Sequence, residues 1–236
     1  MQERAAVVIV AAGSSRRMAG RDKLWTPLAG RLTLARTVDA FEGCPLIEAI
    51  VLVVHPAREA DACELLAEEG WRKVIAVVPG GPRRQDSVRL GLEALARRLP
   101  GISWVLVHDG ARPFVSSTLI EAGLQAARRH QAAVAAVPVK DTLKVVEGDS
   151  VCETPERAHL WLVQTPQVFA FSVLWEAHHA RSAQEDLDEA CDDAALVERL
   201  GYRVTVFPGS YSNMKITTQE DFLLAEYLAQ QETWPR

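Results

Sequence analysis

The sequence predicts an α/β protein: a mostly parallel sheet with helices on both faces and a projecting β-hairpin arm. Short β-branched apolar runs, segments of helical period between them, and one break in that rhythm carry the prediction. The apolar runs Ala5 to Val10, Ile50 to Val54, Val74 to Val78, Trp104 to Val107 and Ala132 to Val137 read as buried parallel strands. Between them Thr33 to Phe41, Arg58 to Glu69, Asp86 to Leu99 and Ser116 to His130 repeat apolar residues at three- and four-residue spacing. These are helices, with Ser116 or Ser117 as the N-cap of the last. The rhythm breaks between Val139 and Gln164. There Asp141 to Val146 and Ala158 to Val163 flank a Gly148-Asp149-Ser150 turn signal, the pattern of a hairpin arm. Its exposed Val145, Val146, Leu160 and Trp161 need cover from another surface, which predicts self-association. Helices near Phe171 to Arg181 and Asp193 to Leu200, a strand at Tyr202 to Phe207 and a helix from about Gln219 to Gln230 complete one domain spanning 1–236, with the arm at about 139–165.

Composition narrows the chemistry. With 236 residues, 48% of them hydrophobic and 24% charged, the chain can bury a substantial core. A net charge of −5 argues against a broad nucleic-acid-tracking surface but leaves room for local cations around a small anion. Cys44, Cys63, Cys152 and Cys191 form no Cys-x-x-Cys pair, so neither a zinc site nor a disulfide framework is expected. The N-terminus enters a strand without the regions of a signal peptide, and no apolar run is long enough for a membrane, so a cytoplasmic protein is expected.

In an open parallel sheet ligands bind beyond the carboxyl ends of the strands. After the first strand, Ala11-Ala12-Gly13 let backbone N–H groups approach phosphate oxygens, with Arg16, Arg17 and Lys23 following as cations. The loop is neither a Gly-x-Gly-x-x-Gly turn nor a P-loop, and it also reads as a solvated surface turn. After the third strand, Gly80-Gly81 can sit against a planar base ahead of a helix start at Asp86 or Ser87, or can be a plain turn with an N-cap. After the fourth, Asp109 can hold Mg²⁺ and Arg112 can clamp a phosphate, or the two can form a local ion pair. Lys215, just before the last helix, gains meaning only from this company. The six histidines show no His-Glu-x-x-His pattern, and no Gly-x-Ser-x-Gly elbow occurs.

Taken as a set, Ala11-Ala12-Gly13-x-x-x-Arg17-Met18, Lys23, Gly80-Gly81-x-x-Arg84-x-x-Ser87-Val88, Val107-His108-Asp109-x-Ala111-Arg112-Pro113, Asp141-Thr142-x-Lys144, Gln164-Thr165-Pro166-Gln167 and Lys215-Ile216-Thr217 closely resemble the 2-C-methyl-D-erythritol 4-phosphate cytidylyltransferases of the non-mevalonate isoprenoid pathway. The resemblance runs through nearly the whole chain in order and spacing. It implies a Rossmann-like nucleotidyltransferase that dimerises through its arms and uses CTP with Mg²⁺ and a polyol phosphate, with no nucleic-acid or membrane partner. By motif, Arg17, Lys23 and Lys215 would be catalytic, and Ala11, Ala12, Gly13, Gly81 and Ser87 would bind the nucleotide. Asp109 would serve the metal and sugar side, and Arg112, Thr142, Arg157 and Thr165 would surround the second substrate. Leu24, Pro82 and Cys191 depart from the family's pattern; at Cys191 a thiol replaces a hydroxyl, weakening any substrate contact there. Two other readings remain: a cytidylyltransferase for another polyol phosphate such as ribitol 5-phosphate, and a non-catalytic CTP sensor.

Overall fold

A computed structural model describes residues 3–13, 22–180 and 190–231. The central sheet is built from β1 (Ala5–Ala11), β4 (Ala49–Val54), β5 (Val74–Pro79), β6 (Trp104–Asp109), β7 (Ala132–Pro138), β10 (Trp161–Ala170) and β11 (Thr205–Pro208). Its order is β11-β7-β10-β6-β1-β4-β5, and every neighbour is parallel except β10, which runs antiparallel to both β6 and β7. Two short ladders stand apart from it: β2 (Pro27–Leu28) with β3 (Arg31–Leu32), and β8 (Val145–Glu147) with β9 (Ser150–Glu153).

Alternation along each strand divides the core into two layers. Val7 and Ile9 of β1, Ile50 and Leu52 of β4 and Leu106 of β6 face α1 (Thr33–Glu42), α2 (Glu59–Glu69) and α4 (Ser117–His130) through Leu34, Val38, Phe41, Leu65, Ile120 and Leu124. Val8, Val51, Val53, Val105 and Val107 point the other way. They pack on α3 (Arg84–Arg98), α5 (Phe171–His179) and α6 (Asp193–Arg199) through Val88, Leu92, Leu95, Leu174 and Val197. Valine and isoleucine suit such strands because both faces are buried. A smaller cluster of Leu28, Phe114, Ile216, Ala225 and Ala229 seats α7 (Gln219–Gln231) beside the turn after β6. Among the described residues no helix is long and apolar enough to cross a membrane.

The fold is thus the expected α/β sheet with helices on both faces, with local corrections. The hairpin of the arm is the short β8–β9 pair around Gly148. Ala158 to Val163 does not return along it; Trp161 to Val163 opens β10, which pairs with β7 before entering the heart of the sheet. A ten-residue strand interrupted by Pro166 and flanked by glutamines hides its period from the sequence. The α3 helix begins at Arg84 rather than Asp86. Asp86 occupies the third helical position, where its carboxylate accepts from the Arg83 N–H at 3.2 Å in a capping box. Ser116 caps α4 by accepting from the Leu119 N–H at 3.2 Å. The last strand is Thr205–Pro208, starting three residues later than its apolar run. Arg181, at the expected end of α5, lies outside the described residues.

Candidate active site

The carboxyl ends of β1, β4, β5 and β6 open on one cleft of about 810 Å³. Ala11, Ala12 and Gly13 form one rim, and Gly80 and Gly81 the facing one. Lys23, His55, Arg83, Arg84, Ser87, Asp109, Lys215 and Thr217 contribute the polar side chains. Asp109 is the sole acid among its described lining residues.

Each feature has a local cause. The Gly80 N–H donates to the Val54 carbonyl at 2.8 Å, pinning the turn after β5 to the end of β4. A Cβ at Gly80 would overlap the Ala12 Cβ and lie 2.8 Å from Ser87 Oγ, while one at Gly81 would lie 2.5 Å from the Asp86 Cβ. The two rims therefore approach this closely because Gly80 lacks a side chain, and the turn packs against the start of α3 because Gly81 does. Ser87 Oγ accepts from the Gly81 N–H at 3.1 Å and fixes the turn to the first coil of α3. Lys23 sits on a tight turn closed by Asp22, which accepts from the Leu24 N–H at 3.2 Å through its carboxylate and from the Trp25 N–H at 3.0 Å through its carbonyl. Arg58 at the start of α2 pairs with Asp22 at 3.6 Å and lies over the Trp25 ring, holding the turn from behind.

Lys215 is carried by a loop bound on three sides. The Ile216 N–H donates to the Ala111 carbonyl at 2.9 Å, Arg112 Nη1 donates to the Asn213 carbonyl at 2.8 Å, and Asn213 Nδ2 donates to the Thr165 carbonyl at 2.8 Å. The Lys215 ammonium thereby stands 3.0 Å from Asp109 Oδ2, with Arg112 Nε at 3.5 Å from the same oxygen and Arg84 Nε at 3.8 Å from Oδ1. Burial works to raise the Asp109 pKa, but Lys215, Arg84 and Arg112 outweigh it and hold the carboxyl well below its ordinary range. One ionised carboxylate thus organises three cations at the mouth of β6.

Beneath Asp109, His108 is fully buried, and burial pushes it down to about 4, so the ring is neutral at pH 7. The Arg112 carbonyl, 3.1 Å from Nε2, can only accept, so Nε2 carries the proton. Nδ1 then accepts from the Thr165 hydroxyl at 3.1 Å, whose oxygen accepts the Asp109 N–H at 3.0 Å. A neutral imidazole with both nitrogens engaged is a strut. The unfolded chain takes up a proton on this histidine below about pH 6.5, and the fold refuses it until about pH 4. Stability is therefore lost as pH falls through that window, and His108 is expected to account for about 2 kcal/mol of loss between pH 7.5 and pH 5. Urea unfolding of the metal-free protein at the two pH values measures this, and in His108→Gln that part of the difference is expected to vanish.

The sequence profile of the 2-C-methyl-D-erythritol 4-phosphate cytidylyltransferases matches residues 5–231. The chain belongs to this cytidylyltransferase family. It is 48% identical over 97% of its length to a protein of Desulforudis audaxviator named a bifunctional IspD/IspF enzyme, of whose length it spans 57%. It is 45% identical to a 2-C-methyl-D-erythritol 4-phosphate cytidylyltransferase of Dehalococcoides mccartyi, with 97% of each covered. Among solved structures, the 4-diphosphocytidyl-2C-methyl-D-erythritol synthase of Anaerococcus prevotii aligns with a TM-score of 0.83 at 32% identity, covering 97% of this chain and 99% of that one. The Thermus thermophilus 2-C-methyl-D-erythritol 4-phosphate cytidylyltransferase aligns with a TM-score of 0.76 at 37% identity, over 94% and 98%. Each likeness extends over nearly the whole of the α/β fold described above.

From the expected residues the cleft collects Ala11, Ala12, Gly13, Lys23, Gly81, Ser87, Asp109 and Lys215. Arg17 lies outside the described residues. Arg112 and Thr165 are buried behind Asp109: Arg112 pairs with the Asp109 carboxylate and donates to the Asn213 carbonyl, and the Thr165 hydroxyl meets His108 and the Asp109 N–H. Thr142 and Arg157 are exposed on the arm, where Arg157 Nη1 donates to the Lys140 carbonyl at 2.7 Å, and neither lines the cleft. Leu24 and Pro82 line the cleft, whereas Cys191 is exposed and does not. The sequence reading assigned no role to His55, Arg84 or Thr217, which the cleft adds. Arg84 could have been found from its place three residues ahead of Ser87 on the same helical turn.

Proposed function

We propose that the chain transfers the cytidylyl group of CTP to 2-C-methyl-D-erythritol 4-phosphate, giving 4-diphosphocytidyl-2-C-methyl-D-erythritol and pyrophosphate. Membership of the family carries the reaction. The observation that supports it in this chain is the convergence of Lys215, Arg84 and Arg112 on Asp109 in the cleft that also receives Lys23 and both small-residue turns. The reading is of one nucleotidyltransferase domain acting in the cytoplasm.

The attacking group is a phosphate monoester whose second pKa is about 6, so at neutral pH it is already largely a dianion. No general base or covalent nucleophile is needed. What the protein must supply is positive potential, because one anion approaches another and charge accumulates on the α-phosphoryl oxygens and the departing pyrophosphate. In this reading the Ala11-Ala12-Gly13 backbone, Arg17 and Lys23 grip the triphosphate. Gly81 and Ser87 hold the cytosine, and Lys215 faces the reacting phosphates. Arg112, Thr142, Arg157 and Thr165 form or support the polyol phosphate side.

The family implies Mg²⁺, and the residues fit it. Asp109 is held ionised, with Arg84 Nε at 3.8 Å from its Oδ1, and magnesium is usually held by one or two carboxylates together with substrate phosphates. Bound there, the ion would draw charge from the phosphoryl oxygens. The deciding experiment measures pyrophosphate release from CTP with methylerythritol phosphate and, in parallel, ribitol 5-phosphate. Release with the first and little with the second is expected. Release with ribitol 5-phosphate alone would reverse the substrate assignment, and CTP binding without release with either would favour the sensor reading.

The reading includes a homodimer through the arms. Val145, Val146 and Val151 on the hairpin and Trp161, Leu162 and Val163 at its root are exposed, large apolar side chains that a second copy of the arm would cover. Sedimentation is expected to give a dimer at micromolar concentration and a shift toward monomer in Val146→Asp. A monomeric parent protein would overturn this part.

A further inference from the structure

Behind the cleft runs a line of hydrogen-bonded and ion-paired side chains that the reaction as described does not use. His178 on α5 donates from Nε2 to Asp193 Oδ1 at 2.9 Å. Asp193 opens α6 and accepts on Oδ2 from Arg84 Nη1 at 2.6 Å. Arg84, on the first turn of α3, then presents Nε toward Asp109 at 3.8 Å. Asp193 is fully buried and does not line the cleft; Arg84 does, with a quarter of its side chain exposed. Burial works to raise the Asp193 pKa, yet Arg84 and His178 hold it below its ordinary value. Burial likewise opposes the charge on Arg84, and Asp193 and Asp109 overcome it.

Docking α6 onto α3 does not require these charges. Val88 and Leu92 of α3 share a core with Ala194, Leu196 and Val197 of α6. Gln85 Oε1 accepts from the Ala190 N–H at 3.2 Å, and Gln167 Oε1 accepts from the Ala194 N–H at 3.2 Å. A buried ion pair carries a desolvation cost that an apolar pair of similar volume avoids. What the pair adds is direction. With Nη1 held by Asp193, the planar guanidinium is fixed with its Nε edge toward the cleft, an orientation that a flexible lysine would not keep.

We infer that Asp193, backed by His178, is a positioning residue that fixes the Arg84 guanidinium in the cleft as a further cation for the nucleotide's phosphates. The inference rests on the transfer function proposed above. It separates Asp193 from a merely structural acid, because its influence on turnover must pass through Arg84.

The test is a double-mutant cycle on pyrophosphate release, with Asp193→Asn, Arg84→Met and the double variant, each checked for folding by circular dichroism. Asp193→Asn is expected to lower kcat about tenfold or more while changing KM for CTP less than about threefold. Added to Arg84→Met it is expected to lower kcat no further. Unchanged kcat in folded Asp193→Asn, or losses that multiply in the double variant, would overturn the inference. Should Asp193→Asn fail to fold, His178→Asn decides: a smaller fall in kcat that disappears in the Arg84→Met background supports the inference, and no fall overturns it. A parent protein that releases no pyrophosphate with either polyol phosphate defeats the transfer reading and the inference with it. An active parent with an indifferent Asp193→Asn defeats the inference alone.

Discussion

Lys215→Ala is expected to lower kcat for cytidylyl transfer by at least about two orders of magnitude, near 3 kcal/mol of transition-state stabilisation, while the protein stays folded. The side chain is two-fifths exposed, and its loop is held by Ile216, Asn213 and Arg112 rather than by that side chain. Removing it leaves Asp109 with Arg84 and Arg112, so the acid stays paired and the thermal transition is expected to move little. The cleft, in contrast, loses the cation that stands nearest to Asp109 of the three paired with it. Lys23→Ala is expected to act similarly, because Lys23 also lines the cleft and its turn is closed by Asp22. Pyrophosphate release alongside a circular dichroism melt measures both effects, and near-normal turnover in either variant would remove that lysine from the mechanism.

Gly80→Ala is expected to have the largest effect on nucleotide binding of any single methyl group added to this chain. The new carbon would overlap the Ala12 Cβ and crowd Ser87 Oγ at 2.8 Å, so the two small-residue turns would have to part. Overpacking of this kind costs about 1–3 kcal/mol. Here the strain falls on both walls of the cleft, because Gly80 is also tied to β4 through the Val54 carbonyl. KM for CTP is expected to rise about tenfold or more, with a lowered melting temperature. Calorimetric titration with CTP checks the binding; an unchanged dissociation constant would show that the nucleotide does not use the gap between these turns.

The sequence was most legible where one kind of local information sufficed. Val7, Ile9, Val51 and Val53 announce buried strands because both sides of each strand are covered, and the helices between them repeat at helical spacing. The strand β10 was missed because Gln164, Pro166 and Gln167 interrupt its apolar run, and its place between two parallel strands is fixed only by tertiary pairing. In the cleft, the glycine turns, Lys23, Asp109 and Lys215 were readable as a set. The partnership of Arg84 with Asp193 spans 109 residues and leaves no periodic trace. Nor does spacing reveal that Thr165 braces His108 from within the core instead of lining the cleft.

The arm leaves and rejoins the sheet at neighbouring points: Trp161 pairs with Pro138, and the Val139 N–H donates to the Leu160 carbonyl at 3.0 Å. The excursion is thus a closed loop whose ends the sheet already holds together. Doubling the length of such a loop costs only about 0.6 kcal/mol in closure entropy. Thr142 and Arg157 ride on this excursion, whereas Lys23, the glycine pair and Lys215 are anchored to the strands and loops of the main body. The segment that carries Thr142 and Arg157 can accordingly change in length at little cost in closure entropy, while the turns that hold Lys23, the glycine pair and Lys215 stay fixed to the sheet.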